Sequence, residues 1–226
     1  MSLMNIDFWY NQHLDNDCYA LLDSHERTQA DKFKNSLLQQ RYIAAHGFLR
    51  NTLAQYLNEP PESLRIQKTT QSKPYLVDYP ELAFNLSHTR NHTAVAVAKN
   101  CQLGVDIEQC KPRTSLAALV QKCFSHEEAS YWQQLPEAEQ TREFYQFWTR
   151  KEAFVKATGF GIALGLRECA INPDKPQSFL AVPANCGLAS DWQYRDIAIG
   201  EGICAALVAN KTIATVKIIH SHRGEF

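Results

Sequence analysis

The chain has 226 residues, 45% of them hydrophobic and 21% charged, and its 23 basic and 24 acidic side chains leave a formal charge of -1. That balance excludes the strongly basic signature of a generic nucleic-acid binder, while the length suffices for one large domain or two small ones. No apolar run approaches the roughly 20 residues that cross a bilayer, so no membrane association is expected. Residues 1–7 lack the basic start and long apolar core of a secretory leader, and residues 1–3 read as a vector-derived extension ahead of Met4. Residues 24–57 read as helical: Ser24 can cap, and apolar residues from Phe33 to Leu57 recur at helical spacing until Pro60-Pro61 stops them. A strand is expected at 64–67 and a turn at Ser72-Lys73-Pro74. Strands at 84–86 and 93–98 then flank a polar loop from Ser87 to His92, and 103–107 is a further short strand.

Residues 115–156 read as a helical middle, broken near Ser125, which can cap, and again at Leu135-Pro136. Gly159 suits a left-handed C-terminal cap. Short apolar stretches at 169–171, 179–182, 203–208 and 212–219 predict a β-rich end, with 221–226 frayed. The fold class expected is therefore α+β, without regular β-α alternation. Seven cysteines (18, 101, 110, 123, 169, 186 and 204) are scattered, odd in number and without a C-x-x-C pair. They predict reduced thiols in a cytoplasmic protein rather than a disulfide framework or a zinc site.

Two segments carry the chemistry. Asp106 and Glu108 lie two apart on a strand and so share a face, where two close carboxylates favour a bound cation over bare coexistence. Trp148, Glu152 and Lys156 lie four apart along one helix face. Alone, the first pair reads more simply as a solvated strand end and the second as a common Glu-Lys helix pair. Together they supply three carboxylates and a distal lysine, the parts that hold Mg²⁺ against a pyrophosphate. Neither a G-x-G-x-x-G nor a G-x-x-x-x-G-K-[ST] loop is present, so side chains and metal must hold any phosphate. Ser87 and His88 at a strand end can donate to phosphate oxygens. Lys32, Lys34, Arg41 and Arg50 form a basic series that equally suits a solvated helix face, and Arg50 is expected to pack through its aliphatic stem.

Four ordered segments resemble the motifs of the long, surfactin-synthetase-activating (Sfp-type) 4'-phosphopantetheinyl transferases. They are Ser72-Lys73-Pro74-Tyr75, Phe84-Asn85-Leu86-Ser87-His88, Gly104-Val105-Asp106-Ile107-Glu108, and Trp148-Thr149-Arg150-Lys151-Glu152-Ala153-Phe154-Val155-Lys156. Phe124-Ser125-His126-Glu127-Glu128 falls where the family carries F-S-x-x-E, and the resemblance spans roughly residues 20 to 175. It implies two similar α+β subdomains, 1–110 and 111–226, related by a pseudo-two-fold axis, with the active site in the cleft between them. Carried over by position, Asp106, Glu108 and Glu152 correspond to ligands of Mg²⁺ or Mn²⁺, and Lys156 to a lysine near the pyrophosphate. Ser87, His88 and Lys73 correspond to coenzyme A contacts, while Arg41 and Lys32 fall near basic positions of the family's first helix. Two departures stand out: Ser72 occupies a usual glycine position, predicting a loop that sits differently, and Thr89 replaces a frequent serine with little expected effect.

The activity implied is Mg²⁺-dependent transfer of 4'-phosphopantetheine from coenzyme A to a serine of an apo acyl or peptidyl carrier protein, by a monomeric cytoplasmic enzyme. Glu152 and Lys156, with Asp106, are the expected catalytic residues. Arg113, Lys122 and Arg150 are candidates for carrier docking, although ordinary surface charge explains each. A Mg²⁺-dependent nucleotidyl transferase and a non-catalytic coenzyme A or carrier-protein binding module are the competing readings.

Overall fold

The computed structural model describes residues 3–14, 16–161 and 165–221, so the expected frayed end at 222–226 and the first two residues of the expected extension lie outside it. Its first element is a strand for which the sequence reading holds nothing. In β1 (Leu3–Asn11), Met4, Ile6, Phe8 and Tyr10 alternate onto one buried face. The expected single helix over 24–57 is two, α1 (Ser24–Ala30) and α2 (Ser36–Leu57). Asp23, not Ser24, caps α1, through a capping box with Glu26. Arg50 of α2 does more than pack by its stem. Its guanidinium is fully buried, bonded to the carboxylates of Asp23 and Glu26 and to the carbonyls of Pro61 (2.7 Å) and Leu64 (3.0 Å).

A small hairpin, β2 (Ile66–Lys68) and β3 (Pro74–Leu76), leads to a long one, β4 (Leu82–Thr89) and β5 (His92–Lys99). The expected loop from Ser87 to His92 is thereby reduced to a turn with Arg90 at φ 50°, and Ser87 and His88 are strand residues. Strand β6 (Leu103–Gln109) follows, then α3 (Leu116–Cys123), α4 (His126–Gln134) and α5 (Glu137–Thr158). The helical breaks fall at Ser125, whose side chain caps α4 in a box with Glu128, and at Pro136. Gly159 ends α5 at φ 80°. The β-rich end comprises β7 (Ala170–Ile171), β8 (Phe179–Ala181), β9 (Gln193–Asp196), β10 (Ile203–Ala209) and β11 (Thr212–His220), of which β9 is unanticipated.

The architecture is α+β. Four strands form a sheet in the order β11-β1-β5-β4, in which β11 returns parallel to β1, and three form a second in the order β6-β10-β9. Side-chain parity explains how the layers stack. Val95 and Val97 of β5 meet Phe48, Leu49 and Leu53 of α2 on one face. The alternate residues Ala94, Ala96 and Ala98 turn, with Ile6 and Phe8, toward Val105, Ile107 and Leu207 of the second sheet. That sheet's far face, including Cys204 and Val208, packs on Phe144, Phe147 and Phe154 of α5. The order α2, first sheet, second sheet, α5 leaves β6 between β4 and α5, where the acidic strand residues lie. No helix among the described residues is long and apolar enough to cross a membrane.

Candidate active site

Strand β6 is an edge strand on its β4 side, and side chains rather than a ladder join the two sheets there. The Val105 N–H donates to Asn85 Oδ1 (2.9 Å), and the Ile107 N–H donates to Ser87 Oγ (3.3 Å). Two backbone donors that would otherwise be buried unpaired are thus satisfied. Ser87 Oγ donates in turn to Asp106 Oδ1 (2.9 Å). Asn85 was legible only as part of a motif; its function as the strut between sheets depends on a contact across 20 residues.

On β6, Gly104, Asp106 and Glu108 alternate onto the face that meets α5. Gly104 is required there: a Cβ would lie 2.0 Å from the Ala153 carbonyl oxygen and 2.5 Å from the Ala157 nitrogen, both backbone atoms. This close approach brings Lys156 Nζ to 2.7 Å from Asp106 Oδ1 and 2.8 Å from Ser87 Oγ. Thr89 Oγ1 donates to Glu108 Oε2 at 3.1 Å, so the hydroxyl kept at this position orients a carboxylate, which the sequence reading did not foresee. Ser87, His88, Asp106, Glu108, Trp148, Glu152 and Lys156 line one open cavity of about 420 Å³. A second, of about 380 Å³, is lined by Lys73, Pro74, Asn85 and Gly159 and shares Leu86, Glu152 and Lys156 with the first.

Charge in this cavity is unbalanced. Burial and then the Asp106 charge raise the Glu108 pKa, against the Thr89 hydrogen bond, Arg113 and Lys156. Burial and Asp106 likewise raise Glu152, with Lys156 opposing. Asp106 Oδ2 is buried with no hydrogen-bond partner. Among the described residues, no three His, Cys, Asp or Glu side chains are gathered closely enough to hold an ion as they stand; the cation beside Asp106 is Lys156. The donor set nevertheless fits a hard divalent cation: three carboxylates with an orphaned oxygen and mutual repulsion face one polar cavity.

His88 sits at the cavity rim. Protein packed against the ring, then Lys156, His46 and Arg41, disfavours the imidazolium and lowers its pKa. Arg41 is half-buried on α2, near enough to act on His88, with its Nε buried and unpartnered. Lys32 is exposed in the link between the first two helices and lines neither cavity. Lys73 donates to the Ala157 carbonyl at 2.5 Å, across the end of α5, and burial pushes its pKa down to about 8. Ser72 adopts φ 65°, the left-handed backbone that glycine takes freely, so the serine carries strain in the turn before Lys73.

One candidate for carrier docking lies elsewhere than on the surface. Arg150 is a buried side chain paired bidentately with Asp196 (2.9 and 2.7 Å), unavailable for docking, whereas Arg113 and Lys122 are exposed. Lys151, of the same segment, is fully buried against Glu128 at 2.7 Å.

A family model described as the 4'-phosphopantetheinyl transferase superfamily matches residues 102–208, and one described as the 4'-phosphopantetheinyl transferase N-terminal region matches residues 11–100. The chain is similar to the 4'-phosphopantetheinyl transferase HetI of Nostoc sp., at 34% identity over 197 residues, 85% of this chain and 80% of that protein. It is 29% identical over 147 residues to the 4'-phosphopantetheinyl transferase of Bacillus subtilis, covering 65% of this chain and 64% of the other. With the 4'-phosphopantetheinyl transferase gsp of Aneurinibacillus migulanus it shares 28% identity over 159 residues, 70% of this chain and 65% of the relative.

Proposed function

Because the chain belongs to the 4'-phosphopantetheinyl transferase superfamily, we propose that it transfers 4'-phosphopantetheine from coenzyme A to a serine of an apo acyl or peptidyl carrier protein. Adenosine 3',5'-bisphosphate is the second product. The observation that carries this reading is the meeting of Asp106, Glu108, Glu152 and Lys156 in one cavity that shares Leu86, Glu152 and Lys156 with a second beside Lys73. A carrier serine and an extended nucleotide substrate need two such adjoining spaces.

Asp106, Glu108 and Glu152 would hold Mg²⁺ or Mn²⁺, which supplies neutralisation of the pyrophosphate charge when bound. Glu152 is the base that takes the serine proton. A carboxylate whose pKa is raised by burial is better matched to that task than an ordinary one. Lys156 moves from Asp106 toward the departing bisphosphate and stabilises the charge that builds there. Ser87 and His88 grip substrate phosphate, Lys73 lies at its nucleotide end, and Arg41 adds positive charge beside His88, with Lys32 at most an outlying contribution.

In this reading, residues 1–110 and 111–226 are halves related by a pseudo-two-fold axis, with coenzyme A in the cleft between them. Each half lends the other's sheet a strand, since β6 pairs with β10 and β11 with β1. A monomer suffices, and seven scattered cysteines, odd in number, suit a reducing cytoplasm. The test is the intact mass of an apo carrier protein after incubation with the enzyme, coenzyme A and MgCl₂. The expected gain is one phosphopantetheine, lost with EDTA. Coenzyme A binding without transfer to any of several carrier classes would favour a binding module, and release of pyrophosphate or a nucleoside monophosphate a nucleotidyl transferase.

A further inference from the structure

Beside Glu108, on the same face of the sheet, Cys110 and Cys204 bring their Sγ atoms to 2.9 Å, and both are free thiols. The sheet itself creates this approach. In the antiparallel ladder of β6 and β10, Cys204 stands opposite Glu108. Cys110, two residues beyond Glu108, points to the same face, and its N–H donates to the Gly202 carbonyl at 2.8 Å, extending the ladder past its last register pair. Both thiols are therefore held by hydrogen-bonded strand rather than by a loose loop. They also differ in access: Cys204 is buried, 5% exposed, whereas Cys110 is only half-buried.

We propose that Cys110 and Cys204 are a site of reversible oxidation, converted by a hydroperoxide to an intramolecular disulfide that lowers the enzyme's turnover. Cys110 sulfur attacks the outer peroxide oxygen; an S–O bond forms, the O–O bond breaks, and the remaining oxygen leaves with a proton as water or an alcohol. Cys204 sulfur then attacks the sulfur of the Cys110 sulfenic acid. The S–S bond forms, the S–O bond breaks, and the hydroxyl leaves as water with the Cys204 proton. Two thiols lose two electrons and two protons in all, and the peroxide is reduced.

Ligand number distinguishes this chemistry from metal capture: among the described residues no three His, Cys, Asp or Glu side chains gather to hold an ion. A disulfide needs the sulfurs to close by only about 0.9 Å from their 2.9 Å spacing. The effect on turnover rests on the transferase reading: the new bond would draw the strands together across Glu108, and displacement of a reacting group by about 1 Å can cost as much as 10²-fold in rate.

The experiment treats the full chain with hydrogen peroxide, alkylates the remaining thiols and maps the peptides, alongside turnover before and after dithiothreitol. The expected product has lost two hydrogens, carries a Cys110–Cys204 disulfide and turns over at least several-fold more slowly until reduced. Cys204→Ser should stop at a dimedone-reactive sulfenic acid on Cys110, and Cys110→Ser should keep its turnover through the same treatment. Alkylation of both cysteines while Cys101 or Cys186 is oxidised would overturn the site. A mapped disulfide with unchanged turnover would overturn its control of the reaction. If the reduced chain transfers nothing to any carrier, the transferase reading fails, while the peptide map still decides the thiol site.

Discussion

Lys156 reaches Asp106 through one carboxylate oxygen at 2.7 Å and leaves the other buried without a partner. The lysine thus offsets part of a charge that the protein has taken out of water. Lys156→Met should strand that carboxylate and cost about 1–3 kcal/mol of stability. Adding Asp106→Asn should recover most of the loss, because the buried charge goes with its partner. A urea double-mutant cycle measures this, and a double variant no more stable than Lys156→Met would refute the coupling. Both variants should lose transfer, about 10²-fold or more.

Glu108 and Glu152 are held above the ordinary carboxylate range by burial and by Asp106. A raised folded pKa means that the folded chain keeps a proton the unfolded chain has released. The metal-free protein therefore loses stability as pH rises through that window and regains it on mild acidification. Glu152→Gln should have a higher melting temperature than wild type in EDTA near neutral pH. MgCl₂ at 100 times its dissociation constant should add about 2.7 kcal/mol to the wild type and much less to the variant. A Glu152→Gln protein that melts below wild type in EDTA would remove the repulsion argument.

The parts of this site that were legible in the sequence are those set by local periodicity. Asp106 and Glu108 share a face because strands alternate, and Trp148, Glu152 and Lys156 do so because four residues make about one helical turn. The lengths of β10 and β11 followed from short apolar runs. What stayed hidden depends on contacts across the chain. The partners of Arg50, Asp23 and Glu26, lie 27 and 24 residues away, and only the fold makes this arginine a buried hub. Lys151 looks like any surface lysine until Glu128 meets it. Strand β1 was visible in principle, through the alternation of Met4, Ile6, Phe8 and Tyr10, but was obscured by reading its first residues as an extension.

Lys73 provides a pH signature. Burial lowers its pKa from 10.5 to about 8. Between those values the unfolded chain binds a proton that the folded chain has released, so this group adds stability as pH rises from about 8 to 10.5. Lys73→Met should flatten that segment of the melting-temperature profile and be relatively most favourable below pH 8. The same deprotonation should weaken coenzyme A, so its KM should climb above pH 8 in wild type and be high and flat in Lys73→Met. A KM that rises equally in both would exclude Lys73 as a substrate contact.

Gly104 sets the spacing on which the cavity depends. A methyl group there would run into the Ala153 carbonyl at 2.0 Å, and backbone cannot rotate aside as a side chain can. Gly104→Ala should push β6 from α5, costing about 1–3 kcal/mol or more by overpacking. Because Ala153 adjoins Glu152, it should also separate Glu152 from Asp106 and reduce kcat. Wild-type kcat in a folded Gly104→Ala protein would show that the approach is not needed.

Lys151 and Glu128 are both fully buried, and each is held beyond their mutual 2.7 Å contact. Glu128 accepts the N–H groups of Ser125 and Ile171, each at 2.6 Å, while Lys151 donates to the carbonyls of Leu166 (2.8 Å) and Cys169. The pair therefore ties the start of α4 and the segment before β7 to the turn of α5 that carries Glu152. Burial raises the Glu128 pKa and Lys151 opposes it, so the carboxylate depends on the lysine for its charge. Lys151→Met should cost about 3–5 kcal/mol by leaving that carboxylate alone, read as a lower urea midpoint. Glu128→Gln in the same chain should restore part of the loss. If Lys151 acts on the reaction only by holding Glu152 in place, the single variant should lower kcat at temperatures where it is fully folded and leave the KM for coenzyme A near wild type. A large KM change with unchanged kcat would instead assign Lys151 to substrate binding.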